Sequence, residues 1–274
     1  MKLKGKNILI TGSSRGIGRE MALRFAKDGA NLVITGKSVM EGGKLPGTIY
    51  SVAEEVERAG GKALAIPIDL RNDASVEAMV AKVGESFGGK LDVLINNAGA
   101  ISLTPLEATP MKKADLMLHL NMRAVLLCSH LCIPLLKAAG GGHILNLSPP
   151  ISTDPKWYGN HVVYTISKYG MTMATIGLSQ ELAKYKIGVN SLWPRTLVAS
   201  EATKMLLGES GMPNCRKPDI MADAAYEIIT SDPAQLTGRA LLDEPFLKER
   251  GYKDFDKYRM DPNTEPALDL FVEA

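Results

Sequence analysis

Thr11-Gly12-Ser13-Ser14-Arg15-Gly16-Ile17-Gly18 follows the apolar run Ile8-Leu9-Ile10 and precedes an amphipathic run carrying Met21, Ala22, Phe25 and Ala26. A short apolar run followed by helical periodicity reads as strand, tight turn, helix. Glycines at 12, 16 and 18 leave no side chains where a backbone must approach a ligand. The free N–H groups of a helix start, and the helix dipole, favour an anion at that place. The expected guest is a dinucleotide pyrophosphate, cradled by Gly12, Ser13, Ser14, Arg15, Gly16, Ile17 and Gly18. The spacing is G-x-x-x-G-x-G, not the commoner G-x-G-x-x-G, and no Gly-Lys-Ser/Thr closes it as in a nucleotide-triphosphate loop. A plain strand-to-helix turn has the same local look, so the remainder of the chain must separate the two.

Strand and helix patterns alternate after this turn. Apolar strand runs are expected at 31–35, 63–68, 91–95, 143–147, 187–192 and 240–242. Helical periodicity falls at 53–59, 75–87, 114–136 and 164–184. Alternating β and α with nearly all-apolar strands predicts a parallel sheet covered on both faces, the α/β class. One dinucleotide-binding domain over 1–274 is expected. Two stretches interrupt the alternation. Residues 194–223 are rich in Gly, Pro, Met and Ser and follow the sixth strand, which places them over the carboxyl ends of the strands as a substrate loop. Residues 244–274 are charged and rich in Tyr and Pro, and read as a docked tail, a subunit contact or a partly disordered end. Residues 38–48 form a long Gly/Pro-containing loop.

Charge and cysteine usage exclude several classes of function. The 274 residues carry a net charge of +2 with both signs interspersed, so neither a nucleic-acid nor a membrane surface is expected. No apolar run in the sequence approaches transmembrane length. Cys128, Cys132 and Cys215 form no metal or disulfide framework, and the first two read as core packing in an apolar helix. No metal is expected. Lys2, Lys4 and Lys6 precede a run too short for a secretory signal, so a cytoplasmic location is expected.

Tyr164-Thr165-Ile166-Ser167-Lys168 carries the chemistry. Tyrosine and lysine at i and i+4 share a helix face. An unperturbed phenol has a pKa of about 10, too high for proton exchange at neutral pH. An ammonium one turn away favours the phenolate and lowers that value, which suits a group that must both give and take a proton. Taken singly, the pair is also what a solvated helix shows by accident.

In order, the chain carries Thr11-Gly-x-x-x-Gly-x-Gly18, Asn96-Asn97-Ala98-Gly99, Asn121 and Tyr164-x-x-x-Lys168. Over residues 5 to about 243 this resembles the short-chain dehydrogenase/reductase family, and more narrowly its hydroxysteroid dehydrogenase-like group, through segments such as 143–150, 164–171 and 222–226. Longer members of that group carry a sterol-carrier domain, which is not expected here. The resemblance implies a Rossmann-type doubly wound parallel sheet of about seven strands with helices on both faces. It implies Tyr164 as acid/base, Lys168 on the nicotinamide ribose, and Asn121 holding a water that links Lys168 to solvent. Asn97, Ala98 and Gly99 would line the cofactor ribose, Asp69 and Leu70 the adenine, and Leu197 the nicotinamide. It also implies a homodimer or homotetramer built on the helices at 114–136 and 164–184.

Two departures from the family stand out. The fifth strand usually ends Ser-Ser, the second serine polarising the substrate carbonyl; here the pair is Ser148-Pro149, and Ser148 is the expected substitute, with Ser152 nearby. The Pro-Gly after the sixth strand is Pro194-Arg195. Cofactor preference follows from charge. An acid after the second strand would hold NAD ribose hydroxyls, whereas Thr35-Gly36-Lys37 offers a cation for a 2′-phosphate. Arg15 adds a planar donor. NADP(H) is therefore expected, with NAD as the alternative. The expected activity is hydride transfer between NADP(H) and a small-molecule carbonyl or secondary alcohol, apolar in character. The rivals are a cofactor-binding sensor or scaffold with little catalysis, and an enoyl reductase on the same fold.

Overall fold

The computed structural model describes residues 1–40, 42 and 46–273. Residues 41 and 43–45 of the expected 38–48 loop, and Ala274 of the expected tail, lie outside the described residues. Seven parallel strands form one sheet in the order β3-β2-β1-β4-β5-β6-β7. They are β1 (Asn7–Ile10), β2 (Asn31–Gly36), β3 (Lys62–Pro67), β4 (Val93–Asn96), β5 (Gly142–Asn146), β6 (Ile187–Trp193) and β7 (Ala240–Leu242). The order reverses between β1 and β4, and ligands of open α/β sheets bind at the carboxyl ends of the strands flanking such a reversal. The glycine turn leaves β1 there, and Asn97-Ala98-Gly99 leaves β4.

Side chains of successive strand residues point to opposite faces. Ile8 and Ile10 of β1 thus join α1 (Gly16–Ala26) and α2 (Ile49–Arg58) on one face, together with α8 (Asp219–Ile229) and α9 (Asp243–Glu249). Leu9 joins the other face, under α3 (Asp73–Ser86), α5 (Ala124–Ala138) and α6 (Val162–Leu182). Each fully buried side chain of this size, such as Phe25, contributes about 1.5–3 kcal/mol. Helix α2 starts four residues earlier than its apolar pattern shows. Thr48 Oγ1 accepts the Ser51 N–H and Ser51 Oγ accepts the Thr48 N–H, a reciprocal cap that fixes the start at Ile49.

The expected helix at 114–136 runs Met111–Ala138 as α4 (Met111–Met117), a π turn (Leu118–Arg123) and α5. This 28-residue run is long and apolar enough to cross a membrane by length and composition, which corrects the sequence reading. Its Cys128, Cys132 and Leu136 pack against α3 and the sheet. Burial pushes the Cys128 thiol up to about 12, so it is a packing group. The expected loop at 194–223 contains α7 (Glu201–Leu207), a 3₁₀ segment (Glu209–Asn214) and the start of α8. Ser200 caps α7 by accepting the Thr203 N–H.

The tail is docked. After α9 the chain returns across the carboxyl ends of β6 and β7 as a strap over residues 267–272. Leu197 N–H donates to Ala267 O (2.9 Å), Asp269 N–H to Arg195 O (3.1 Å) and Trp193 Nε1–H to Leu270 O (2.8 Å). Phe271 lies among Trp157, His161, Tyr164, Tyr169 and Trp193, with ring centroids 5.2–6.2 Å away.

Candidate active site

Two cavities meet at the switch point. The first, of about 600 Å³, is lined by Gly12, Ser14, Arg15, Gly16, Ile17 and Gly18, and further round by Lys37, Asp69, Leu70, Asn97, Ala98 and Gly99. Its floor is a close crossing of two chain segments. Thr11 Oγ1 accepts the N–H groups of Asn97 and Ala98, and Asn97 Nδ2 donates to the carbonyls of Thr11 and Gly12. A Cβ on Gly12, whose φ is +67°, would stand 2.9 Å from Ala98 Cα, and one on Gly18 would stand 2.6 Å from Asn97 Nδ2. Glycine is therefore required for this packing, and the start of α1 is left bare for an anion. These residues fit a dinucleotide.

The rim of that cavity is charged. Lys37 Nζ lies 3.0 Å from Asp69 Oδ2, and Arg71 grips the same carboxylate through Nε and Nη2. Hydrogen bonds from Arg71, joined by Lys37, hold the Asp69 carboxyl far below its ordinary value. Asp69 is thus fixed as an anion that positions two cations. Arg15 donates to Ser38 Oγ (2.6 Å) and to the carbonyls of Pro46 and Gly47, so it also ties down the loop after β2. Ser13 departs from expectation. Its Oγ donates to Ile10 O and accepts the Thr35 N–H, so the side chain is buried between β1 and β2 and off the cavity wall.

The second cavity, of about 550 Å³, shares Ile17, Asn97, Gly99, Ala100, Ser200 and Ala202 with the first and is otherwise mostly apolar. Tyr164 and Lys168 stand on its wall, with Leu197 opposite on the chain leaving β6. Helical spacing brings Tyr164 and Lys168 together. Lys168 Nζ donates to Leu147 O (2.9 Å) and lies 5.2 Å from the Trp193 ring centroid. Asn121 is fully buried in the π turn. Its Nδ2 donates to Ala100 O and Ser167 Oγ, and its Oδ1 accepts the Ala100 N–H. Asn121 therefore clamps the chain after β4 to α6, and its amide N–H groups are both taken by protein. The π turn makes the helix one residue wider there, which a sequence reading of regular periodicity misses.

Electrostatics in this cavity run against the simplest expectation for Tyr164. Burial pushes its phenol well above the ordinary value, and the nearby Asp269 adds to the rise. Burial pushes Lys168 down to about 8, opposed by Asp269. Asp269 itself is pushed up to about 7, chiefly by burial. The lowering of the phenol anticipated from Lys168 is absent: burial and Asp269 both raise it, and Lys168 is not among the groups that shift it.

Ser148 is a further correction. It is fully buried, and its Oγ accepts from Thr172 Oγ1 at 2.8 Å, pointing under α6 and away from the cavity. Ser152 accepts the Asp154 N–H and also lies off the wall. Sequence reasoning missed Arg71 and Ser38 at the rim of the first cavity, and Trp157, Trp193 and Asp269 on the wall of the second. A single acid inside the apolar run Leu268-Asp269-Leu270-Phe271-Val272 was the available signal for the last of these.

The comparisons with known proteins agree with this architecture. The short chain dehydrogenase family model matches residues 6–207. Hydroxysteroid dehydrogenase-like protein 2 of Xenopus tropicalis is 50% identical over 272 residues, covering 99% of this chain and 64% of the relative. The chain thus spans slightly less than two thirds of that relative's length. A short chain dehydrogenase structure from Mycobacterium thermoresistibile superimposes with a TM-score of 0.93 at 44% identity, covering 99% of this chain and 96% of the other. A metagenomic short-chain oxidoreductase in complex with NADP gives 0.73 at 26% identity, covering 88% and 98%. With sheet order, switch-point cradle and sequence in agreement, this chain belongs to the short-chain dehydrogenase family.

Proposed function

We propose that the protein reduces an apolar ketone or aldehyde to the alcohol with NADPH, with Tyr164 as proton donor. The observation that carries this is the placing of Tyr164 and Lys168 on the wall of an apolar cavity that opens into the dinucleotide cradle. Gly12, Gly16 and Gly18 would hold the pyrophosphate, Asn97 to Gly99 the adjoining ribose, and Lys37 with Arg71 a 2′-phosphate. Bound nicotinamide supplies the hydride. Tyr164 keeps its proton through neutral pH because its surroundings are dry, so the site is poised to protonate an alkoxide rather than to deprotonate an alcohol. Lys168 places a positive charge beside the developing anion, and the strap excludes water. The relative crystallised with NADP supports the choice of nucleotide. We also propose assembly as a homodimer or homotetramer through α5 and α6, where Leu126, Ile166, Met173 and Ile176 stand exposed.

Parallel fluorescence titrations with NADPH and NADH test the cofactor assignment. Tighter NADPH binding is expected. Lys37→Ala should weaken NADPH about tenfold, or about 1.4 kcal/mol, and leave NADH unchanged. Equal binding of the two nucleotides, or equal losses in the variant, would remove NADP selectivity while leaving the dehydrogenase reading intact.

A further inference from the structure

The wall of the catalytic cavity lacks the hydroxyl that a serine at the end of β5 would provide. Ser148 is turned under α6, and Pro149 has neither hydroxyl nor N–H. Of the other polar groups on the wall, Trp157 Nε1 is buried with no hydrogen-bond partner among the described residues, and several others are engaged. Asn97 spends both amide N–H groups on Thr11 and Gly12, Thr203 Oγ1 donates to Val198 O, and Lys168 donates to Leu147 O. Asp269 differs. Its Oδ1 accepts the Leu270 N–H at 2.7 Å, and Oδ2 has no protein partner among the described residues. The carboxyl sits on the same cavity wall as Tyr164, on a strap pinned by the Arg195, Leu197 and Trp193 bonds. Its position is therefore fixed by backbone, as a preorganised donor requires.

We propose that Asp269, as the neutral acid, donates a hydrogen bond to the substrate carbonyl oxygen and so takes the place of the missing serine. The inference rests on the carbonyl-reduction reading above. In the reaction the carbonyl carbon gains a hydride from reduced nicotinamide, the C=O π bond breaks, and its electrons pass to oxygen. That oxygen takes the Tyr164 proton. Asp269 stabilises the oxygen as charge develops and, as the stronger acid, reprotonates the Tyr164 phenolate; solvent then reprotonates Asp269. The surroundings keep the acid neutral. Tyr164 and Lys168 face it from α6, Cys215 from the chain before α8, and Asp243 from the start of α9. Burial is the largest influence on Asp269 and raises it to about 7; Asp243 acts in the same direction, and Lys168 opposes.

Three measurements on the full chain test this. The first is the pH dependence of kcat/KM for reduction of a panel of neutral apolar ketones and aldehydes. Wild-type activity should hold below about 7 and fall above it as Asp269 ionises. In Asp269→Asn the amide still donates but cannot ionise. Its neutral-pH activity should stay within about tenfold of wild type. Its alkaline limb should lose the Asp269 ionisation and follow Lys168 alone, which Asp269 no longer raises. The second is Asp269→Leu, expected to lose about 10²–10³ in kcat/KM with NADPH binding unchanged. The third needs no turnover. An infrared difference spectrum against Asp269→Asn should show a protonated carboxyl at pH 6, and octanamide, whose carbonyl is not reduced, should shift that band in the NADP-loaded protein. Wild-type rates in Asp269→Leu, Asp269→Asn activity as low as that of Asp269→Leu, or an ionised carboxyl at pH 6 would each overturn the proposal. If wild type reduces no member of the panel, the carbonyl-reductase reading fails. The octanamide shift then still decides Asp269: a shifted band sustains the carbonyl contact and an unshifted one overturns it.

Discussion

Tyr164→Phe is expected to lower kcat/KM for carbonyl reduction by about 10²–10⁴-fold, the usual worth of a positioned proton donor. The substitution removes one oxygen and nothing else from the packing. The ring would remain stacked on Phe271, whose centroid lies 6.2 Å away. The hydroxyl makes no hydrogen bond to the described residues, so no partner is left unsatisfied. Thermal stability and NADPH affinity should therefore match wild type. That separation of rate from binding identifies a group acting in the transition state. Its measurement is steady-state kinetics with a nucleotide titration on the same preparation. Retained turnover in Tyr164→Phe would overturn the catalytic assignment. It would leave a cofactor-binding protein whose role lies elsewhere, the rival that the loss of the serine hydroxyl makes worth testing.

Local patterns made the cofactor half of the site legible, and long-range contacts hid much of the rest. The glycine turn, β1 and α1 lie within twenty residues of one another, and each was visible as apolar period or small-residue spacing. Tyr164 and Lys168 are one helical turn apart, so their meeting needs no tertiary knowledge. Lys37 was visible, but its partner was not. Only the β2–β3 register, which sets Gly36 beside Pro67, carries Asp69 to Lys37. Ser148 failed for a related reason. Strand alternation says that neighbours face opposite ways, but not which face meets the cavity, and Thr172 on α6 settles it. Helix α7 lay inside what read as irregular loop, because its seven residues are too few to show a period. The strap was least legible of all. Residues 267–272 show neither helical nor strand spacing that would fix a partner, and their bonds reach back about seventy residues to Trp193, Arg195 and Leu197.

The strap also carries the second large expected effect. Phe271 is 4% exposed and occupies the centre of the aromatic cluster that includes Tyr164 and Trp193. Truncating a buried phenylalanine costs about 3–5 kcal/mol. The strap is otherwise held near the site by four hydrogen bonds, the fourth from Ala267 N–H to Asn214 O, worth about 1 kcal/mol each, and by the buried Val272. The lost packing is comparable to the hydrogen bonds that remain, so Phe271→Ala should open the strap far more often while the sheet stays folded. Amide hydrogen exchange reads this directly. Protection at Leu197 and Asp269, whose N–H groups bond across the strap, should fall by about 10²-fold or more, with β1 to β5 unchanged. Release would admit water beside Tyr164 and carry Asp269 off the wall, so kcat/KM should fall with it. NADPH affinity should hold, because no strap residue lines the cavity built on Gly12 to Gly18. Unchanged exchange at both amides would mean that the hydrogen bonds and Val272 secure the strap without Phe271. A parallel loss of NADPH binding would mean that the two cavities fold as one unit, and that the strap supports the nucleotide as well as the substrate.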